Sequence, residues 1–284
     1  MAWSAAIVQD MVSAGYDAVY RAVPRSRTLR RLWHELAEGP DFPDEFGHIS
    51  FTTLPELRRM TVELRLRRND TLVDLGCGMA GPALWVARET GARLIGIDGA
   101  AGAIDEARAR ADDVGLSKRA RFDVGTFVKT GLESDSADAV MSEDALQYAP
   151  DKQAAFNEVA RVLRPGGRFV FTAYELDAER AGSLPVLATD PVPDFRGTLV
   201  KAGFQIDVYQ RAPGWPEPMS RTYAACIAAK RALTREMGEA AANALLMEMS
   251  LTLQFKPYRQ RILAVTTKPG GTEYGATVWA LANR

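Results

Sequence analysis

Asp74, Gly76, Gly78, Gly81 and Asp98 are the residues of this 284-residue chain whose types and spacing point most directly to chemistry. In Val73-Asp74-Leu75-Gly76-Cys77-Gly78-Met79-Ala80-Gly81 a strand of small apolar residues runs into a glycine-rich turn that opens a helix. Glycine tolerates positive φ and lets a ligand lie against bare backbone, and the N–H groups of the helix start favour polar ligand atoms. The Gly-x-Gly-x-x-Gly spacing by itself also fits a dinucleotide. Asp74 separates the two ligands. A carboxylate two residues before the first glycine repels a pyrophosphate resting on the turn, but suits a ligand with a cationic amino group. Asp98 ends the next strand, Ile95-Gly96-Ile97-Asp98, where a carboxylate can accept both hydroxyls of an adenosine ribose; it serves either ligand.

The elements that must hold these residues alternate in period. Between Asn69-Asp70 and about residue 173, short apolar strands (71–75, 93–97, 120–124, 139–142, 168–173) alternate with helical stretches from Pro82, over Ala101–Val114 and over Lys152–Leu163. A helix over Asp194–Ala202, a strand over Phe204–Tyr209 and a last strand over Arg261–Thr267 follow. Such alternation predicts an α/β fold with a largely parallel sheet covered by helices on both faces. Two helical additions flank it. The first, from Trp3 to about Arg68, carries Ile7, Val8, Met11 and Val12 at helical spacing, a segment Thr28–Glu38, an ordered loop Asp41–Thr52, and a helix opened by Thr53-x-x-Glu56, which fits a capping box. The second, Trp215 to about Phe255, falls between the last two strands. The division expected is 1–68 helical cover, 69–212 ligand-binding α/β core, 213–258 helical lid, and 259–284 last strand and tail.

Bulk properties narrow the function classes. Apolar residues make up 47 % and charged residues 25 %, and the formal net charge is −1, so no global field attracts a polyanion. The arginine-rich stretches Arg25–Arg31 and Arg58–Arg68 alternate with apolar residues, as on a solvated helix face. No nucleic-acid partner is expected. No run approaches the length of a membrane span, and Met-Ala-Trp-Ser lacks the basic flank of a secretory signal, so a cytoplasmic protein is expected. Two cysteines (Cys77, Cys226) and two histidines (His34, His48) are too few and too scattered for a zinc site, and no metal is expected.

Asp74-Leu75-Gly76-Cys77-Gly78, the acidic strand end at Asp98, and Leu163-Arg164-Pro165-Gly166-Gly167 before the fifth strand together resemble the motifs of class I S-adenosylmethionine (SAM)-dependent methyltransferases. More narrowly, the chain resembles bacterial (actinobacterial) small-molecule methyltransferases of natural-product pathways. The resemblance implies a Rossmann-like, seven-stranded, mostly parallel sheet with an N-terminal helical cover and a helical lid before the last strand. It implies SAM as cofactor and S-adenosylhomocysteine (SAH) as product. Gly76, Cys77 and Gly78 would run beneath the methionyl part, Asp74 would face its amino group, Asp98 the ribose, and Gly99 the adenine. Gly125, Thr126 and Phe127 would meet the adenine too, although relatives often carry an acid where Thr126 stands. Of the neighbours Glu143 and Asp144, one would approach the sulfonium and the other cap the following helix.

Methyl transfer needs placement above all, because the sulfonium already activates the methyl group; a base helps where the acceptor carries a proton. His48, between Phe46 and Phe51 in a glycine-containing loop, is the first candidate base. Tyr16 and Tyr148 are alternatives. Tyr20, Trp215 and Met219 are candidate acceptor contacts, since aromatic and methionine side chains suit an apolar or aromatic small molecule. The acceptor atom (O, N or C) stays open, as does a monomeric or homodimeric state. Two other readings stand beside this one: an NAD(P)-dependent oxidoreductase, and a SAM-binding protein that acts as a non-methylating cyclase or sensor.

Overall fold

The computed structural model describes residues 15–181 and 191–270. The apolar repeat over residues 7–12 and the tail beyond 270 lie outside the described residues. Seven strands form one sheet: β1 Thr71–Leu75, β2 Arg93–Asp98, β3 Ala120–Val124, β4 Ala137–Glu143, β5 Leu163–Leu176, β6 Gln205–Arg211 and β7 Arg259–Thr267, in the order β3-β2-β1-β4-β5-β7-β6. All neighbouring pairs are parallel except the two made by β7, which runs antiparallel to β5 and to β6. This is the seven-stranded, mostly parallel sheet that the sequence predicts.

The order reverses at β1. Its two neighbours leave in opposite directions, and the carboxyl ends of β1, β2 and β4 open a crevice where such folds bind ligands. The central strands read as near-continuous apolar runs because both faces are covered; Leu72, Val73, Leu94, Ile97, Val140 and Met141 are all buried. The covering helices are α3 Leu54–Leu64, α4 Gly81–Thr90, α5 Ala101–Asp113, α6 Lys152–Val162 and α8 Arg196–Lys201, with a single turn, α7, at Ala178–Ala181. Asp151 caps α6 by accepting from the Ala154 N–H at 2.8 Å.

The cover and the lid are tied to the core and to each other by polar contacts. The cover comprises a helix over residues 15–22 (α1), helix α2 (Arg27–Trp33), and a π-helical turn at His34–Glu38. Asp17 of α1 accepts from the Gly102 N–H at 2.5 Å, which seats α1 on the start of α5. The helical stretch predicted for the lid is three helices, α9 Pro216–Ala228, α10 Lys230–Met237 and α11 Glu239–Phe255, broken at Ala229 and at Gly238, which takes φ +85°. Glu236 of α10 receives Ser26 Oγ and Thr28 Oγ1, each at 2.7 Å. Leu29, Trp33, Cys226, Leu233, Ala242 and Met249 make the apolar seam between cover and lid.

Three local expectations are corrected. Thr53 starts α3 without a side-chain capping bond, because the Glu56 carboxylate is drawn instead to Arg261 of β7, 2.8 Å away. Asp144 does not cap the next helix: Arg261 Nε, at 2.7 Å, and the Phe51 N–H, at 3.2 Å, take its carboxylate. The Leu163–Gly167 segment is not only a turn, since β5 already pairs at Leu163 and continues to Leu176 across a register shift.

Candidate active site

One cavity lies in the crevice, floored by the β1 turn and roofed by α1 and α11. Asp74, Gly76, Cys77, Gly78, Asp98, Gly99, Gly125, Thr126, Phe127 and Glu143 all line it, as do Tyr16, Tyr20, His48, Tyr148 and Met219. Trp215 is not among its lining residues. Its indole is buried between the lid and the ring of Tyr174, centroids 5.0 Å apart, so Tyr174 reaches the cavity in its place.

The turn is built so that side chains stay off its ligand face. Gly76 and Gly78 have φ of +77° and +52°. A Cβ at Gly76 would stand 2.6 Å from that of Ala145, and one at Gly78 2.9 Å from Tyr20 Oη. Asp98 braces the same turn: one carboxylate oxygen accepts from the Gly78 N–H and the other from the Ala100 N–H, both at 2.9 Å. Each oxygen keeps capacity for a further donor, which is what ribose hydroxyls supply. Gly76→Val is therefore expected to weaken SAH binding more than about tenfold with little loss of secondary structure. Calorimetric titration checks this, and unchanged affinity would argue that no ligand rests on the turn.

The electrostatics of the floor call for a cation. Asp74 is buried and makes no ion pair among the described residues; burial first, and then the neighbouring Asp98, push its carboxyl up to about 8. Both carboxylate oxygens of Glu143 are buried without a hydrogen bond among the described residues, and burial, then Asp74, raises its pKa well above the ordinary value. Two such acids side by side are costly unless a positive group joins them. SAM carries both an ammonium and a sulfonium, so the donor set and the bare turn fit it.

The remaining polar groups divide by partner. Thr126 turns its hydroxyl to the Lys129 N–H at 3.1 Å, closing a local turn, while Phe127 packs against the Gly76 position. His48 is buried, and its Nδ1 accepts from the Ser50 N–H at 3.1 Å, which places the proton of the neutral ring on Nε2. Burial lowers its pKa to about 4, and Nε2 has no partner among the described residues. In this setting His48 is a hydrogen-bond donor rather than a proton acceptor. His34 lies away from the cavity, beside Glu38 and Asp44.

Several residues that sequence reading passed over complete the walls. Trp33, Phe51 and Tyr223 pack with ring centroids 5.5 to 6.1 Å apart. Tyr174 also lines the cavity, its buried hydroxyl without a partner among the described residues and the Arg259 guanidinium 4.1 Å above its ring. Glu248 of α11 accepts from Tyr16 Oη at 2.5 Å and Tyr148 Oη at 2.7 Å. Behind the wall, Arg261 joins Asp144, Glu56 and Thr52 Oγ1 at 2.7, 2.8 and 3.1 Å. The signal for Glu248 was weak but present, as a lone acid in an apolar stretch of the lid.

Residues 73–171 match the family described as a methyltransferase domain. Methyltransferase GfsG of Streptomyces halstedii is 34 % identical over 141 residues, 48 % of this chain and 49 % of that protein. The 27-O-demethylrifamycin SV methyltransferase of Amycolatopsis mediterranei is 27 % identical over 227 residues, 74 % of this chain and 81 % of that protein. The chain thus spans about half the length of the first relative and about four-fifths of the second. Among solved structures, the [4+2]-cyclase SpnF superposes with a TM-score of 0.72 at 21 % identity, covering 92 % of this chain and 96 % of that one. No helix among the described residues is long and apolar enough to cross a membrane.

Proposed function

From the SAM-dependent, class I methyltransferase domain that this chain carries, we propose that the protein transfers a methyl group from SAM to a small, largely apolar or aromatic molecule. The observation that carries this reading is the pair of buried acids, Asp74 and Glu143, facing the bare glycine turn with no ion pair to either among the described residues. When bound, SAM supplies an electrophilic methyl group on a sulfonium. The chain's own residues do the rest. Asp74 and Glu143 neutralise the cationic end, Asp98 orients the ribose, and Gly125, Thr126 and Phe127 flank the base. Tyr16 and Tyr20 close the cover over the methionyl part. Trp33, Phe51, Tyr174, Met219 and Tyr223 then form an apolar chamber that excludes water and orients a flat acceptor for in-line attack.

The domain limits 1–68, 69–212, 213–258 and 259–284 serve this reading as cover, cofactor site, lid and closing strand. The relatives' printed names, a rifamycin methyltransferase among them, support a specialised metabolite as acceptor. The cyclase superposition favours one second reading, a SAM-binding protein whose chamber shapes a ring closure without methyl loss. Labelled SAM, incubated with the protein and a panel of phenols, heterocycles and polyketides, tests both. The methyl-transfer reading expects SAH and a labelled product from at least one acceptor. Consumption of a polyene without SAH would transfer the case to the cyclase.

A further inference from the structure

The acceptor side of the cavity contains a carboxylate that binding of SAM does not explain. Glu248 lies on the lid helix α11, not on the floor with Asp74 and Glu143. Its Oε1 takes two tyrosine hydroxyls, from Tyr16 of the cover and Tyr148 of the core. Its other oxygen has no hydrogen-bond partner among the described residues. No cation pairs with it there either; the nearby guanidinium of Arg259 is spent on the ring of Tyr174. A carboxyl group held by two hydroxyl donors on one oxygen has a fixed orientation, and its other oxygen retains capacity to accept from a third donor.

The position is as informative as the bonding. Tyr16 stacks on Tyr20 with centroids 5.8 Å apart, and Tyr20 Oη lies over Gly78. Tyr148 meets Tyr16 edge-on at 5.5 Å. Glu248 is thus one ring removed from the cover of the glycine turn, and it borders the chamber made by Trp33, Phe51, Tyr174 and Tyr223. In that chamber the buried Tyr174 hydroxyl is itself without a hydrogen-bond partner among the described residues, a second polar group open to a ligand. His48, whose Nδ1 is already filled by Ser50, is not placed to take a proton.

We propose that Glu248 is the catalytic base and that the acceptor is a neutral aromatic hydroxyl, so that the methyl group goes to oxygen. The inference rests on the methyl-transfer reading. The hydroxyl gives its proton to the free oxygen of Glu248 while an oxygen lone pair forms the new O–CH3 bond. The electron pair of the broken S–CH3 bond stays on sulfur, leaving a neutral thioether, and the proton passes to solvent when the methyl ether departs. Tyr16 and Tyr148 are positioning residues that aim the carboxylate.

The test uses the full chain loaded with SAH, and 2-naphthol and its methyl ether, 2-methoxynaphthalene, as probes. A hydrogen bond from the phenol to an oriented carboxylate makes 2-naphthol bind at least about tenfold more tightly than the ether. Glu248→Gln brings the two to within about threefold while SAH affinity stays the same, and Tyr148→Phe, which removes one of the two aiming bonds, gives an intermediate preference. An equal preference in wild type and Glu248→Gln, an ether that binds as well as the phenol, or no binding of either probe to the SAH complex would overturn the proposal and leave methyl transfer standing. Failure of SAH itself to bind the folded wild-type protein would remove the methyl-transfer reading and this one with it. If Glu248→Gln does not fold, Tyr148→Phe decides: an undiminished preference for the phenol overturns the proposal.

Discussion

Asp74→Asn is expected to move stability and cofactor affinity in opposite directions. A carboxyl whose pKa is about 8 in the folded protein and near the ordinary value of ~3.9 when unfolded binds more protons folded than unfolded. The ligand-free protein therefore loses stability as pH rises from about 4 to about 8, and asparagine removes that dependence. At pH 7 the variant should gain on the order of 1–2 kcal/mol, a rise of about 3–6 °C in melting temperature for a domain of this size. The same change removes the counter-charge for the SAM ammonium, and affinity should fall by about a hundredfold. Thermal unfolding and SAM titration on one preparation measure both. A variant that melts lower and binds SAM normally would mean that Asp74 is a structural acid and not a ligand.

Arg261→Met is expected to cost stability heavily. The guanidinium is 2 % exposed and is shared by Asp144, Glu56 and Thr52, which come from the end of β4, from α3 and from the loop before α3. Removing it strands two carboxylates, each largely buried, with Glu56 already raised by desolvation. Breaking one partner of a buried network costs about 3–5 kcal/mol, here about 6–15 °C. Because Asp144 also receives the Phe51 N–H, loosening it should disorder the chamber wall as well. A differential melting curve within about 2 °C of wild type would contradict this account of the network.

The cofactor half of the site was legible in the sequence because it is local. Asp74, Gly76 and Gly78 sit within one strand-to-turn segment, and Asp98 is fixed beside them by the β1–β2 pairing that places Ile97 against Leu75. Such residues are constrained by backbone geometry, which composition and spacing report. The acceptor half is assembled from distant segments. Glu248 meets Tyr148 across 100 residues and Tyr16 across 232, and Arg261 meets Glu56 across 205. No periodicity encodes those distances. Thr53-x-x-Glu56 shows the same effect in reverse: a local pattern for a capping box was overridden because a buried guanidinium offers Glu56 a stronger, charge-assisted partner than a backbone N–H. Trp215 was read as a chamber residue from its type alone, yet a large indole next to a seam between helices and sheet contributes most by filling it, and Tyr174, on β5, has the cavity face.

The division of charge explains why the site should both bind SAM and respond to pH. With its carboxyl pushed up to about 8, Asp74 stays largely protonated at pH 7 until a cation arrives, so SAM binding must displace a proton from it. Calorimetric titration with SAM from pH 6 to pH 9, in buffers of different ionisation enthalpy, reads this directly. Affinity should rise by up to about tenfold per pH unit below about pH 7 and fall again above about pH 8, where the α-amino group of free SAM (ordinary pKa ~7.7–8.0) loses the charge that Asp74 pairs with, and about one proton should be released per site at pH 7. No binding of SAM by the folded protein, or binding with neither pH dependence nor proton release, would contradict the assignment of Asp74 and the glycine turn as the cofactor site.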